Sequence, residues 1–157
     1  MKKLVLAIAY VGVVASVATA ADQAFQGTQM PDLKGKQIPV SLLFSENRRA
    51  IEASAGGRLI AAVPYAAIDT ISYEYTKRHR ITQGAVIMVA SLGAGAVVML
   101  TQSKKHFLTI EFHDGTATKE LVLRMDKSEY KNILTTAEVQ TGKNVDLLKA
   151  TVPRKNR

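Results

Sequence analysis

From Ile38 onward the chain alternates. Ile38, Val40, Leu42 and Phe44 are separated by Pro39, Ser41 and Leu43, the period of a strand with one buried face. Ser45-Glu46-Asn47 supplies turn residues, and Arg48 to Ser54 reads as a second strand with Ile51 inward. Ala55-Gly56-Gly57 is the next turn, followed by a third strand from Arg58 to Val63 that Pro64 ends. Residues 68–76 form a fourth, with Ile71, Tyr73 and Tyr75 on one face. Further on, Leu108, Ile110 and Phe112 alternate with Phe107, Thr109 and Glu111. Asp114-Gly115 then predicts a hairpin, with a return strand over 118–125 and Leu121 and Leu123 inward.

After that strand the period changes. Tyr130, Ile133, Leu134 and Ala137 share the face of a helix that Asp126 caps, with Glu129 as its capping-box partner. Gly142 marks the stop. The fold class predicted is mainly β (α+β). It is a small antiparallel half-barrel of about six to seven strands, closed by a C-terminal amphipathic helix.

Two stretches depart from this grammar. Residues 1–21 run from Met1-Lys2-Lys3 through an apolar segment, Leu4 to Val17, to small residues ending Ala18-Thr19-Ala20-Ala21. That is the order of a secretory signal peptide. Ala18 with Ala20, or Thr19 with Ala21, fits the small-x-small cleavage pattern. An uncleaved anchor is the alternative, and both imply export to a bacterial periplasm or cell envelope. Residues 22–37 read as a polar linker and 38–142 as the β-domain. The basic end, 143–157, reads as a disordered tail.

The second stretch interrupts the domain between strands four and five. Residues 81–101 are almost wholly apolar, with Gly93 and Gly95 near their middle. Three readings fit this apolar helical insertion. It could be a transmembrane helix, a helical hairpin dipping into a membrane surface, or a segment packed on the protein's own sheet. For the membrane readings the inserting residues are Val86, Ile87, Val89, Leu92, Val97, Val98 and Leu100. Lys77, Arg78, Arg80, Lys104 and Lys105 flank the stretch and would meet anionic lipid headgroups.

Charge sharpens the second point. The 157 residues hold 21 Lys plus Arg against 13 Asp plus Glu, a formal +8. Residues 77–106 contain no acid and carry +5 of it. The rest of the folded part is mildly acidic, and the aromatic fraction is only 6%, so nucleic acid is not expected as a partner. With no cysteine, disulfide scaffolds and thiolate zinc sites are excluded. Glu111, His113 and Asp114 are the nearest approach to a catalytic or metal cluster. A solvated strand face and a hairpin turn explain them better, so no enzyme activity, metal or other cofactor is expected.

Ile68-Asp69-Thr70-Ile71-Ser72-Tyr73-Glu74-Tyr75 follows a strand ending Val63-Pro64-Tyr65. A basic cluster, a Gly/Ala-rich apolar stretch and Lys104-Lys105-His106-Phe107-Leu108-Thr109-Ile110 come next. Over roughly residues 38–140 this resembles uncharacterised secreted bacterial proteins with a pleckstrin-homology-like or GRAM-like domain. Seven strands are usual there and the sequence pattern supplies six; the apolar insertion is atypical. The resemblance implies a binding or scaffolding module. The expectation is a non-catalytic, membrane-associated envelope protein that binds an anionic membrane surface or an envelope protein partner. The alternative is a soluble structural or protein-interaction module whose insertion is core or an oligomer interface.

Overall fold

In the computed structural model, which describes residues 21–32, 34–78, 86–89, 93–95 and 100–148, the alternating segments are strands. The first is β1 (Gln23–Pro31), followed by β2 (Gln37–Ser45), β3 (Ala50–Ala55) and β4 (Arg58–Pro64). A single 3-10 turn, Tyr65–Ala67, leads into β5 (Ile68–Arg78). Two short strands, β6 (Val86–Val89) and β7 (Gly93–Gly95), precede the long β8 (Leu100–Asp114) and β9 (Ala117–Met125). Helix α1 (Tyr130–Thr141) and a last strand, β10 (Val145–Leu148), complete the described chain.

The fold is mainly β, and the sheet stays open. Its order is β10-β5-β8-β9-β1-β2-β3-β4, with β10 and β4 at the edges. Neighbours on this path are antiparallel except β10, which runs parallel to β5. The inner face carries Leu42, Phe44, Ile51, Val63, Ile71, Leu108, Ile110, Leu121 and Leu123, all fully buried. All but Val63 are positions that period-two alternation picks out. Helix α1 adds Ile133 and Ala137 to the same cluster, with Tyr130 and Leu134 packed against it.

Four expectations change. Residues 22–37 are largely strand β1 rather than linker. Phe25, Thr28 and Met30 are all buried although Phe25 and Thr28 are three positions apart. A bulge between Phe25 and Thr28 resets the alternation, which hides the strand from a strict period of two. With β1 counted, the antiparallel runs β1-β2-β3-β4 and β5-β8-β9 hold seven strands.

The hairpin turn sits one residue later than expected. Asp114 pairs with Ala117, so Gly115 and Thr116 are the central residues, and Gly115 alone takes positive φ, 64°. The turn between β3 and β4 behaves as read: Gly56 and Gly57 have φ of 55° and 78° between the paired Ala55 and Arg58.

The helical insertion is corrected to extended chain over its described residues. Val86, Ile87 and Val89 lie in β6, which pairs antiparallel with β7 and parallel with β9 at Lys119 and Glu120. β1 pairs with β9 only at Arg124 and Met125, so the other half of that edge is free to accept β6. Branched residues favour such a strand, and Gly93 and Gly95 are poor helix formers. No helix among the described residues is long and apolar enough to cross a membrane.

The first part of the expected tail is a strand. Val145–Leu148 forms β10 beside β5, from Val145 opposite Ile71 to Leu148 opposite Glu74. Val145 packs partly buried against the core, while Leu147 and Leu148 remain exposed, so no fully buried face announces this strand. Residues 149–157, and residues 1–20 of the expected leader, lie outside the described residues.

Candidate anion-binding site

The register of β5 against β8 brings the two basic flanks of the apolar stretch together. Thr76 is opposite Lys105, and Arg78 is opposite Leu100. Lys77 and Arg78 are therefore placed in β5 beside the start of β8; Arg80 lies outside the described residues. On the other side of β8, His106 faces Met125 and Phe107 faces Arg124. β9 ends at Met125, so Asp126 and Lys127 follow directly on the residue opposite His106.

These residues line a groove of about 280 Å³ with Tyr75, His106 and the bulged part of β1 around Gly27. Four cations, Lys104, Lys105, Arg124 and Lys127, face one acid, Asp126. Among the described residues none of the four is in an ion pair. Arg48, Arg49 and Lys119, by contrast, are tied to Glu52, Glu46 and Asp114. The Lys104 ammonium lies 5.7 Å from the centre of the exposed Tyr75 ring, close enough for a cation–π contact. Ser128 donates its hydroxyl and backbone N–H to Asp126 Oδ1, at 2.6 and 2.8 Å, which holds the Asp126 carboxyl below its ordinary range.

A stack of aromatic rings reaches the groove through Tyr75 and His106. The His106 ring stacks on Tyr130 at 4.0 Å between centres, nearly parallel to it, and lies 4.7 Å from Tyr75. Tyr73 Oη is 2.8 Å from His106 Nδ1. Burial pushes the His106 imidazole pKa down, Lys127 and Lys105 add to the shift, and Asp126 opposes it. The tautomer of the ring sets which of His106 Nδ1 and Tyr73 Oη donates in this bond. Burial likewise raises Tyr73, with Tyr130 and Tyr75 contributing.

Two of the five expected headgroup residues, Lys104 and Lys105, are thus in the groove with described side chains. Arg124 and Lys127 were not picked out by sequence reasoning, although extending the hairpin register from Gly115 would have placed them beside Lys104 and Lys105. Of the expected inserting residues, Val86, Ile87 and Val89 lie in β6 and Leu100 opens β8; Leu92, Val97 and Val98 lie outside the described residues.

The other candidates resolve into local pairs. His113 Nδ1 contacts Asp69, and Asp114 pairs with Lys119. No group of three or more His, Asp or Glu among the described residues is placed to hold a metal ion. A second recess, about 570 Å³, is lined by Arg48, Arg49, Tyr65 and Lys143, but both arginines are neutralised by their glutamates. Compared with known proteins, the chain matches no family model and no curated protein sequence.

Proposed function

We propose that this chain is a non-catalytic protein of the bacterial cell envelope, a small β-domain of pleckstrin-homology-like kind that associates with anionic membrane surfaces. The observation that carries the reading is the convergence of cations at one end of β5, β8 and β9. Lys104, Lys105, Arg124 and Lys127 surround one groove, and the β5–β8 register adds Lys77 and Arg78 at the strand ends where the apolar stretch departs. Each cation held near an anionic bilayer contributes about 1 kcal/mol, so a cluster of this size would sustain reversible binding. Two antiparallel runs, β1-β2-β3-β4 and β5-β8-β9, seven strands in all, followed by α1, support the fold part of the proposal.

A second reading has its own observation. Phe107 and Val122 point away from the main core cluster yet are fully buried, and Glu120 beside them is too. β5, β8 and β9 are therefore covered on both faces, and β6 joins β9 in the plane of the sheet. On this reading the apolar stretch belongs to the protein's own packing, and the domain is a structural or protein-interaction module.

Fractionation separates the two. Under the membrane reading the protein sediments with envelope membranes and is released by high salt or carbonate. Recovery in the low-salt extract as a monodisperse, detergent-free protein would favour the second.

A further inference from the structure

We propose that anion binding in the groove is coupled to a proton on His106, so that the domain holds an anionic surface more tightly as pH falls. The coupling rests on the membrane reading and adds a regulation to the same site. His106 is half-buried in the groove wall, next to Lys104 and Lys105 on β8 and opposite Met125, after which Asp126 and Lys127 follow. Of the residues lining the groove, it is the one whose charge changes near neutral pH.

The ring is held where either charge state fits. Tyr130 stacks on it from α1 at 4.0 Å between centres, and Tyr73 and Tyr75 of β5 lie at 6.0 and 4.7 Å. A hydroxyl both donates and accepts, so the 2.8 Å contact of Tyr73 Oη with Nδ1 survives a second proton on the imidazole, when both ring nitrogens donate. The negative π faces of the tyrosines favour a positive ring. Burial opposes that charge, with Lys127 and Lys105 adding and Asp126 countering. Lys104 and Arg124 enlarge the positive side, against Asp126 as the one acid of the groove. β1 brings no titratable group to it, and the Glu129 carboxylate beside β1 is bound to the Gly27 N–H at 2.7 Å.

An anion seated among these cations, a phosphodiester headgroup or a free one, offsets the repulsion that keeps the imidazole neutral. Its charge favours the imidazolium, so a proton is taken up as the anion binds. By reciprocity the protonated groove binds the anion better by the same factor. An opposite charge within about 4–6 Å moves a titration by about one unit or more, and one unit is roughly tenfold in affinity.

Two measurements test the coupling. In the first, sulfate, which does not titrate in this range, replaces chloride at equal ionic strength while NMR follows the His106 imidazole. Its midpoint should rise by about one unit. In the second, vesicles of phosphatidylglycerol and phosphatidylcholine should retain the protein roughly tenfold more strongly at about pH 5 than at about pH 7.5. His106→Gln should flatten that difference. A midpoint that sulfate leaves unmoved, or a pH difference that survives His106→Gln, overturns the coupling. Vesicle binding equal at the two pH values overturns it and leaves the membrane reading standing. No retention at either pH, with the sulfate shift present, removes the membrane reading and assigns the coupling to a free anion.

Discussion

Gly27 and Glu129 are 102 positions apart in the chain and joined by a 2.7 Å hydrogen bond, the Gly27 N–H donating to Glu129 Oε2. The Gly27 carbonyl in turn accepts the Asp126 N–H at 2.7 Å. The bulge of β1 thus holds the entrance of α1. The sequence pattern assigned Glu129 to a capping box with Asp126, but the carboxylate reaches across to β1 instead, and Asp126 bonds locally to Ser128.

A β-carbon on residue 27 would lie 2.5 Å from Glu129 Oε2 and 3.0 Å from Asp126 Cβ. Gly27→Ala should therefore push the carboxylate off the N–H. Loss of a charge-assisted hydrogen bond outweighs the backbone entropy that alanine removes from the unfolded chain, for a net cost of about 1–2 kcal/mol. Urea denaturation checks this; a variant as stable as the parent would show that the bulge does not anchor the helix.

Tyr65 is buried, and its hydroxyl has no hydrogen-bond partner among the described residues. Burial, with Glu46 and Asp22 adding and Arg49 opposing, raises its pKa from 10.0 to about 12. A phenol whose folded pKa is raised contributes stability that is whole below pH 10 and is lost as pH climbs through 12. Tyr65→Phe should keep its stability near pH 7 to within about 1 kcal/mol, and should lose less than the parent between pH 10 and 12. Thermal midpoints across that window decide the point. A large loss at pH 7 would mean that the hydroxyl has a partner.

His106 works in the opposite direction. Its pKa lies below 6.5 when folded, so the unfolded chain takes up the proton more readily. The contribution to stability is complete above pH 6.5 and falls as pH drops through the lowered value. An NMR titration of the imidazole should give a midpoint below 6.5. A midpoint above it would mean that Asp126 outweighs burial and the neighbouring lysines.

Much of the core was legible because one face of β2, β3, β8 and β9 faces the main cluster and the other carries more polar residues. Val40, Leu42, Ile51, Leu108, Ile110, Leu121 and Leu123 all sit where alternation puts them. The elements that escaped have physical reasons to do so. A bulge breaks the period of β1, and β10 has no fully buried face. Val122 and Phe107 carry burial onto the second face, which alternation treats as solvent. Half the groove was legible too, since Lys104 and Lys105 stand in an acid-free run. Arg124 and Lys127 join them only through the pairing of β8 with β9, a long-range relation that composition does not carry.

The central claim is electrostatic binding to a bilayer through this groove, and co-sedimentation of the mature protein with vesicles tests it most directly. Vesicles of phosphatidylglycerol and phosphatidylcholine should retain the protein at low salt, and phosphatidylcholine alone should not. Replacing Lys104 and Lys105 with alanine should weaken partition by about 2 kcal/mol, roughly thirty-fold. Equal binding to both vesicle types, or an unchanged partition of the double variant, would contradict the account.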